Sequence, residues 1–225
     1  MLITVQVHRN AEDSWPWSGC WSGLYSTASA YKGLPNEVAL EEGENLFPLV
    51  WNLQVPNKVK CLIWRALRDR LPSKANLARR NIIVNPTELL CPFCNHHIES
   101  LNHIFISSPL ASDIWSSCYS WMPPVFAIVC PSSLKSHCWL HFGLGRNSTE
   151  QDIWWVIWAS VMFSVWKSRN ASIYKRAVMD RATLLHEVRF LCWLCMHDSI
   201  QKFKFSFVQW YSNPAACIAS CIGDI

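Results

Sequence analysis

From Asn57 to Leu71 the chain reads NKVKCLIWRALRDRL, with apolar residues returning every three or four positions. At about 100° per residue, Val59, Leu62, Ile63, Ala66 and Leu67 share one broad face, while Lys58, Arg65 and Arg68 gather on the opposite one. The pattern predicts an amphipathic helix, bounded by Pro56 where the chain enters and Pro72 where it must leave. SKANLARRN follows as a second short helix, with Ser73 as its N-cap and Asn81 as a left-handed residue at its end. A third short helix is expected from Ser100, and a fourth from Pro109 that buries Ile114, Trp115 and Cys118.

The pattern changes further on. IWWVIWASVMFSVW, Ile153 to Trp166, is apolar on every side between Asp152 and Lys167. It falls short of the ~20 residues that span a bilayer, so it predicts a buried helix. That run sits inside a long predicted helix, TEQDIWWVIWASVMFSVWKSRNASIYKR, with Thr149 as its N-cap. DRATLLHEVRFLCWLCMHDSI predicts another, begun by Asp180, and KFKFSFVQW alternates like an exposed strand or docked tail. The opening third is less periodic: a short strand or turn, then a helix through STASAYKGL closed by Gly33. MPPVFAIVCPSS breaks the periodicity again and marks the expected domain boundary.

Composition narrows the class. Fourteen Trp and 51% hydrophobic residues argue for packed helices and against disorder. Only 7 Gly, with charged residues at 16%, argue against an all-β chain of tight turns. Eleven Cys is an odd count without the spacing of a disulfide scaffold, and MLITVQVHRNAEDSW breaks its apolar run at His8 and Arg9. The expectation is an intracellular protein, in cytoplasm or nucleus, whose thiols are mostly buried, Cys61 and Cys118 among them. Net charge is +4, but residues 57–80 carry +7, leaving −3 for the rest. The positive charge is local.

Chemistry concentrates in CPFCNHHIESLNHIF, residues 91–105. Two thiolates three residues apart can both reach a tetrahedral Zn²⁺ at about 2.3 Å while the backbone turns around the ion. His103, nine positions after Cys94, can return on a short helix. No Asp-Asp pair occurs, so the paired aspartates of a reverse transcriptase's Mg²⁺ site are missing, and the acids are too scattered for a ribonuclease H cluster. The chain is expected to have no catalytic centre.

The residues around the knuckle form an ordered series. It runs through Trp51, Val55-Pro56-Lys58, Trp64, Arg68, Arg70-Leu71-Pro72, Leu77, Arg80, Cys91, Cys94, Glu99-Ser100, His103-Ile104-Phe105 and Trp115. Upstream lie Asp13, Trp17, Gly23, Tyr25, Ser26, Ala30 and Tyr31, and downstream VWKSRNASIY. Together they resemble the zinc-binding domain that follows the polymerase in plant non-LTR (LINE-type) retroelement reverse transcriptases. The resemblance implies zinc held by Cys91, Cys94 and His103, with a cysteine five residues after the histidine as fourth ligand. Here that position is Ser108, and a hydroxyl that stays protonated is a far poorer zinc ligand than a thiolate. Three readings follow: a weak site of three ligands and water, a site completed by His96 or His97, or a metal-free relic.

The fold expected is mainly α, a small helical zinc-knuckle domain followed by a helical C-terminal region. Residues 1–46 would be an N-terminal lead-in, 47–122 the zinc-binding domain, 123–147 a linker and 148–225 the helical region. As a polymerase-associated module it would contact RNA or DNA phosphates through Lys58, Arg65, Arg68, Arg79 and Arg80, and no membrane. The alternative is a structural or protein-interaction remnant whose basic helix is only a solvated face. Trp64 is expected in the core, and His8, His137, His141, His186 and His197 have no partner spacing that suggests a role.

Overall fold

A computed structural model describes residues 17, 22–27, 29, 46–83, 85–122, 131, 133–142, 145, 147–178 and 180–223. The chain divides into two compact units, residues 1–42 and 43–225. In the first, the Trp17 N–H donates to the Gly23 carbonyl at 2.8 Å across a turn whose Gly23 has φ 68°, and Trp17 meets Tyr25 edge-on. Most of the helix expected over 26–34 lies outside the described residues, although Thr27 and Ser29 are helical.

The second unit is helical, and no strand occurs among the described residues. Short α1, Leu46–Trp51, precedes α2, Asn57–Leu67, which buries Val59, Ile63, Ala66 and Leu67 as the periodicity predicts. Asp69, at φ 52°, ends α2 before Leu71 by turning the backbone left-handed. α3, Lys74–Arg79, is capped by Ser73, whose hydroxyl accepts from the Asn76 N–H, and Asn81 lies at φ 57° beyond its end. α4 runs Pro109–Tyr119 with Ile114, Trp115 and Cys118 buried.

The centre of this unit is α6, Ser148–Lys175, whose residues 153–162 are all buried. α5 spans Leu134–Phe142, α7 Arg181–Ser199, α8 Phe207–Ser212 and α9 Pro214–Ile222. The apolar-all-round sequence of α6 has a direct cause: α2, α4, α5, α7, α9 and the turn His103–Ser107 pack around it. Helices from before and after residues 123–147 thus share one core. No helix is long and apolar enough to cross a membrane among the described residues.

Several expectations need correction. The N-cap of α6 is Asn147, not Thr149: the Asn147 side chain accepts from the Glu150 N–H at 2.9 Å, and Thr149 lies within the first turn. The segment 123–147 is not only a linker, since α5 within it buries His137, Cys138 and His141. Of the two readings of KFKFSFVQW, the docked tail holds and the exposed strand does not: Phe203 and Trp210 plug the core from an irregular segment and α8, and the Trp210 indole N–H donates to the Arg189 carbonyl at 2.8 Å. Cys61 is exposed, because it shares the polar face of α2 with Lys58, Arg65 and Arg68. The expectation for the thiols otherwise stands, with Cys118, Cys138, Cys192, Cys195, Cys217 and Cys221 buried.

Candidate metal centre

The loop 91–98 folds back on itself through its own backbone. Leu90 and Ile98 form an isolated antiparallel bridge, the Cys91 N–H donates to the His97 carbonyl at 2.7 Å, and the Glu99 N–H to the Leu89 carbonyl at 2.8 Å. Inside this base, Asn95 takes φ 54° and its N–H donates to the Cys91 carbonyl at 2.8 Å. An asparagine tolerates that left-handed turn better than most residues. The Phe93 N–H points at Cys91 Sγ, 3.4 Å away.

His103 arrives from the other side. The Ser100 hydroxyl accepts from the His103 N–H at 3.1 Å, so the predicted start at Ser100 holds. Residues His103–Ser107 then wind as a π-helical turn in which the Ser108 N–H reaches the His103 carbonyl, at 2.8 Å. Such turns are rare and recur at functional sites. Trp115 secures this one by donating its indole N–H to the Phe105 carbonyl at 2.7 Å.

The predicted ligands converge. One ligand atom each from Cys91, Cys94 and His103 lies within 4.8 Å of the others, and Cys94 Sγ is 3.3 Å from His103 Nε2. A tetrahedral zinc ion with bonds of about 2.0–2.3 Å separates its ligand atoms by roughly 3.5–3.8 Å, so the set needs only small adjustments to hold one. His103 Nδ1 lies 3.1 Å from Ser107 Oγ; a proton donated there leaves the Nε2 lone pair facing the thiol. Cys91 is buried, and that burial pushes its thiol up to about 11. Slight burial opposes ionisation of Cys94 too, but the His96 N–H, the His97 ring and N–H, and the His103 ring outweigh it and bring the thiol down to about 6. Among the described residues no other group of three His, Cys, Asp or Glu side chains has this spacing.

Ser108 has other work. Its buried hydroxyl accepts from the Ala111 N–H and donates to the Ile104 carbonyl, both at 3.2 Å, capping α4. His97 lies nearer the cluster: Nδ1 is 3.8 Å from Cys94 Sγ, and its ring centroid is 5.1 Å from that of His103.

A second interaction, which no local pattern predicts, fixes the loop. Glu99 and Arg169, both almost fully buried, form an ion pair of two bonds, Arg169 Nη2 to Oε1 at 2.5 Å and Nε to Oε2 at 3.2 Å. Glu99 Oε1 also accepts from the Lys74 N–H at 2.8 Å, and Arg169 Nη2 donates to the Pro72 carbonyl at 3.2 Å. Lys74 Nζ reaches the Leu90 carbonyl at 2.6 Å. The metal loop is therefore clamped onto both α3 and α6. Each partner stands in a resembling motif, Glu99-Ser100 and VWKSRNASIY, which is the signal the sequence offers for it.

The predicted nucleic-acid contacts separate into two groups. Arg68, Arg79 and Arg80 line one open pocket of about 360 Å³, together with Arg70, Asp69 and Asn76. Arg79 is paired with Asp69 and bonded to Asn76, and Arg68 lies over the rings of Phe47 and Trp64. Arg70, which is not among the predicted contacts, is carried in by the left-handed turn at Asp69. Lys58 lies elsewhere, over the Phe163 ring, and neither it nor Arg65 lines the pocket. Trp64 is half-buried against the core.

Residues 25–115 match the protein family described as zinc-binding in reverse transcriptase. A curated relative from Arabidopsis thaliana, named a "putative ribonuclease H protein", is 25% identical over 174 residues. The alignment covers 76% of this chain and 27% of the relative, so the chain spans about a quarter of that protein's length. No solved structure matches.

Proposed function

We propose, from the match of residues 25–115 to the family described as zinc-binding in reverse transcriptase, that the chain is a retroelement-derived zinc module that grips nucleic-acid phosphates and has no polymerase or nuclease activity of its own. Cys91, Cys94 and His103 hold the ion, whose contribution is to cross-link the loop to the π-helical turn. The arginine pocket carries the nucleic-acid reading. It gathers four guanidinium groups around a volume large enough for a phosphate, with Asp69 as the one acid among its lining residues. Guanidinium groups suit phosphate oxygens because their donors are planar and paired.

The two sites share a helix. α3 starts at Lys74, bonded to Glu99 and Leu90 of the metal loop, and ends at Arg79 in the pocket. Six residues at 1.5 Å each put its ends about 9 Å apart, so metal that orders the loop also orders one wall of the pocket.

The test is binding of unrelated single-stranded RNA and DNA oligonucleotides over a series of salt concentrations. Arg70→Glu and Arg80→Glu should weaken binding about equally for all sequences and reduce the salt slope by about 1 for each phosphate no longer neutralised. Binding with no salt dependence, or unchanged by both substitutions, would leave the basic segment a solvated face.

A further inference from the structure

We propose that His97 is the fourth zinc ligand, making the site Cys91–Cys94–His97–His103, and that Ser108 is a helix cap with no part in metal binding. This rests on the zinc reading above and adds the identity of the donor that the sequence left open.

Three observations carry it. The spacing Cys91-x2-Cys94 is repeated as Cys94-x2-His97, so the geometry that lets two thiolates share an ion is available once more on the next turn of the same loop. The hydrogen bond from the Cys91 N–H to the His97 carbonyl places these two residues side by side across the loop, and the left-handed Asn95 turns the chain between Cys94 and His97. The His97 ring consequently stands 3.8 Å from Cys94 Sγ and 5.1 Å, centroid to centroid, from the His103 ring. It is exposed, so rotation about its side-chain bonds can bring Nδ1 onto the ion without disturbing the core.

One competitor is otherwise engaged. The Ser108 hydroxyl is buried, with one hydrogen bond accepted and one donated. His96 is also exposed, but what it brings to Cys94 is its backbone N–H. A neutral imidazole is an ordinary zinc ligand, and two thiolates with two imidazoles is a common structural set.

Cobalt(II), whose visible spectrum reports thiolate ligation and coordination number, serves as the probe, followed by zinc competition against a chelator. Wild type, His96→Ala and Ser108→Ala should give the same four-coordinate, two-thiolate spectrum. His97→Ala should weaken zinc binding on the order of 100-fold, the share of one donor in a four-ligand structural site, with loss of the four-coordinate bands, and His97→Cys should restore tight binding. Equal affinity and spectrum in wild type and His97→Ala would overturn the assignment. So would a comparable loss in Ser108→Ala. If wild type takes up neither metal at one equivalent, the zinc reading itself falls and this inference with it. Because His97 is exposed, unchanged far-UV circular dichroism of the apo-variants separates ligand loss from misfolding.

Discussion

Arg169→Met leaves the Glu99 carboxylate in the core without the cation that faces it. The carboxylate keeps the Lys74 N–H but loses bonds of 2.5 and 3.2 Å to the guanidinium. Hydrogen bonds to charged groups contribute about 1.5–3 kcal/mol each, so two amount to about 3–6 kcal/mol. Removing one partner of a buried pair typically costs about 3–5 kcal/mol, for the same reason: a charge is stranded. Arg169 also holds the Pro72 carbonyl and lies 4.8 Å from the Trp166 ring, neither of which Met reproduces fully. The expected loss is therefore about 4 kcal/mol, read as a lower urea midpoint at constant m-value. Neutralising the stranded acid in the double variant Glu99→Gln/Arg169→Met should recover about 2 kcal/mol of it. A loss below about 1 kcal/mol for Arg169→Met, or strictly additive effects in the double variant, would refute the idea that this pair clamps the loop.

Two further outcomes follow from other parts of the molecule. Burial pushes His137 down to about 3, helped by the nearby His141, and burial pushes His141 down to about 4. Trp158 donates to His137 Nδ1, His137 Nε2 meets the Tyr119 hydroxyl, and His141 Nδ1 is bonded to the His137 carbonyl. Both folded-state values lie below the unfolded ~6.5, so below that pH the unfolded chain binds more protons and stability falls as pH drops, down through about 4 and 3. At pH 5 each histidine should have removed about 2 kcal/mol, measurable by urea unfolding at pH 7 and pH 5; a His137→Gln/His141→Gln chain that keeps the full pH dependence would contradict this. Finally, purified protein should show no Mg²⁺-dependent primer extension and no cleavage of an RNA–DNA hybrid, and activity that survives repurification would refute that expectation.

What the sequence revealed followed the range of the forces involved. α2, α3, α4 and α7 were legible because periodic apolar faces and the caps Ser73 and Asp180 are local signals. α5 was not, since its apolar residues and buried histidines have no one-sided period and only the packing of α6 and Trp115 against them explains their burial. α9, PAACIASCI, is short and rich in small residues, and docks only because α6 and α8 provide a surface. At the metal loop, spacing alone brought out Cys91, Cys94 and His103. Nothing local pairs Glu99 with Arg169 across 70 residues. The role of Ser108 was not legible: in sequence the position reads only as a lost ligand, whereas its hydroxyl caps α4 ahead of Pro109 at the first helical position.

The clamp between Glu99 and Arg169 also sets an order of events during synthesis. Cys91, Cys94, His97 and His103 leave the ribosome within 13 residues of one another. The arginine that neutralises Glu99 lies 70 positions later, which at 5–20 residues per second is a delay of about 4–14 s. Throughout that interval the loop's acid has no cation from α6, and the helix against which the π-helical turn will pack does not yet exist. The nascent chain thus presents the proposed metal donors before α6 exists to hold the loop, and an ion captured then would fix the loop's shape ahead of the core that it later joins.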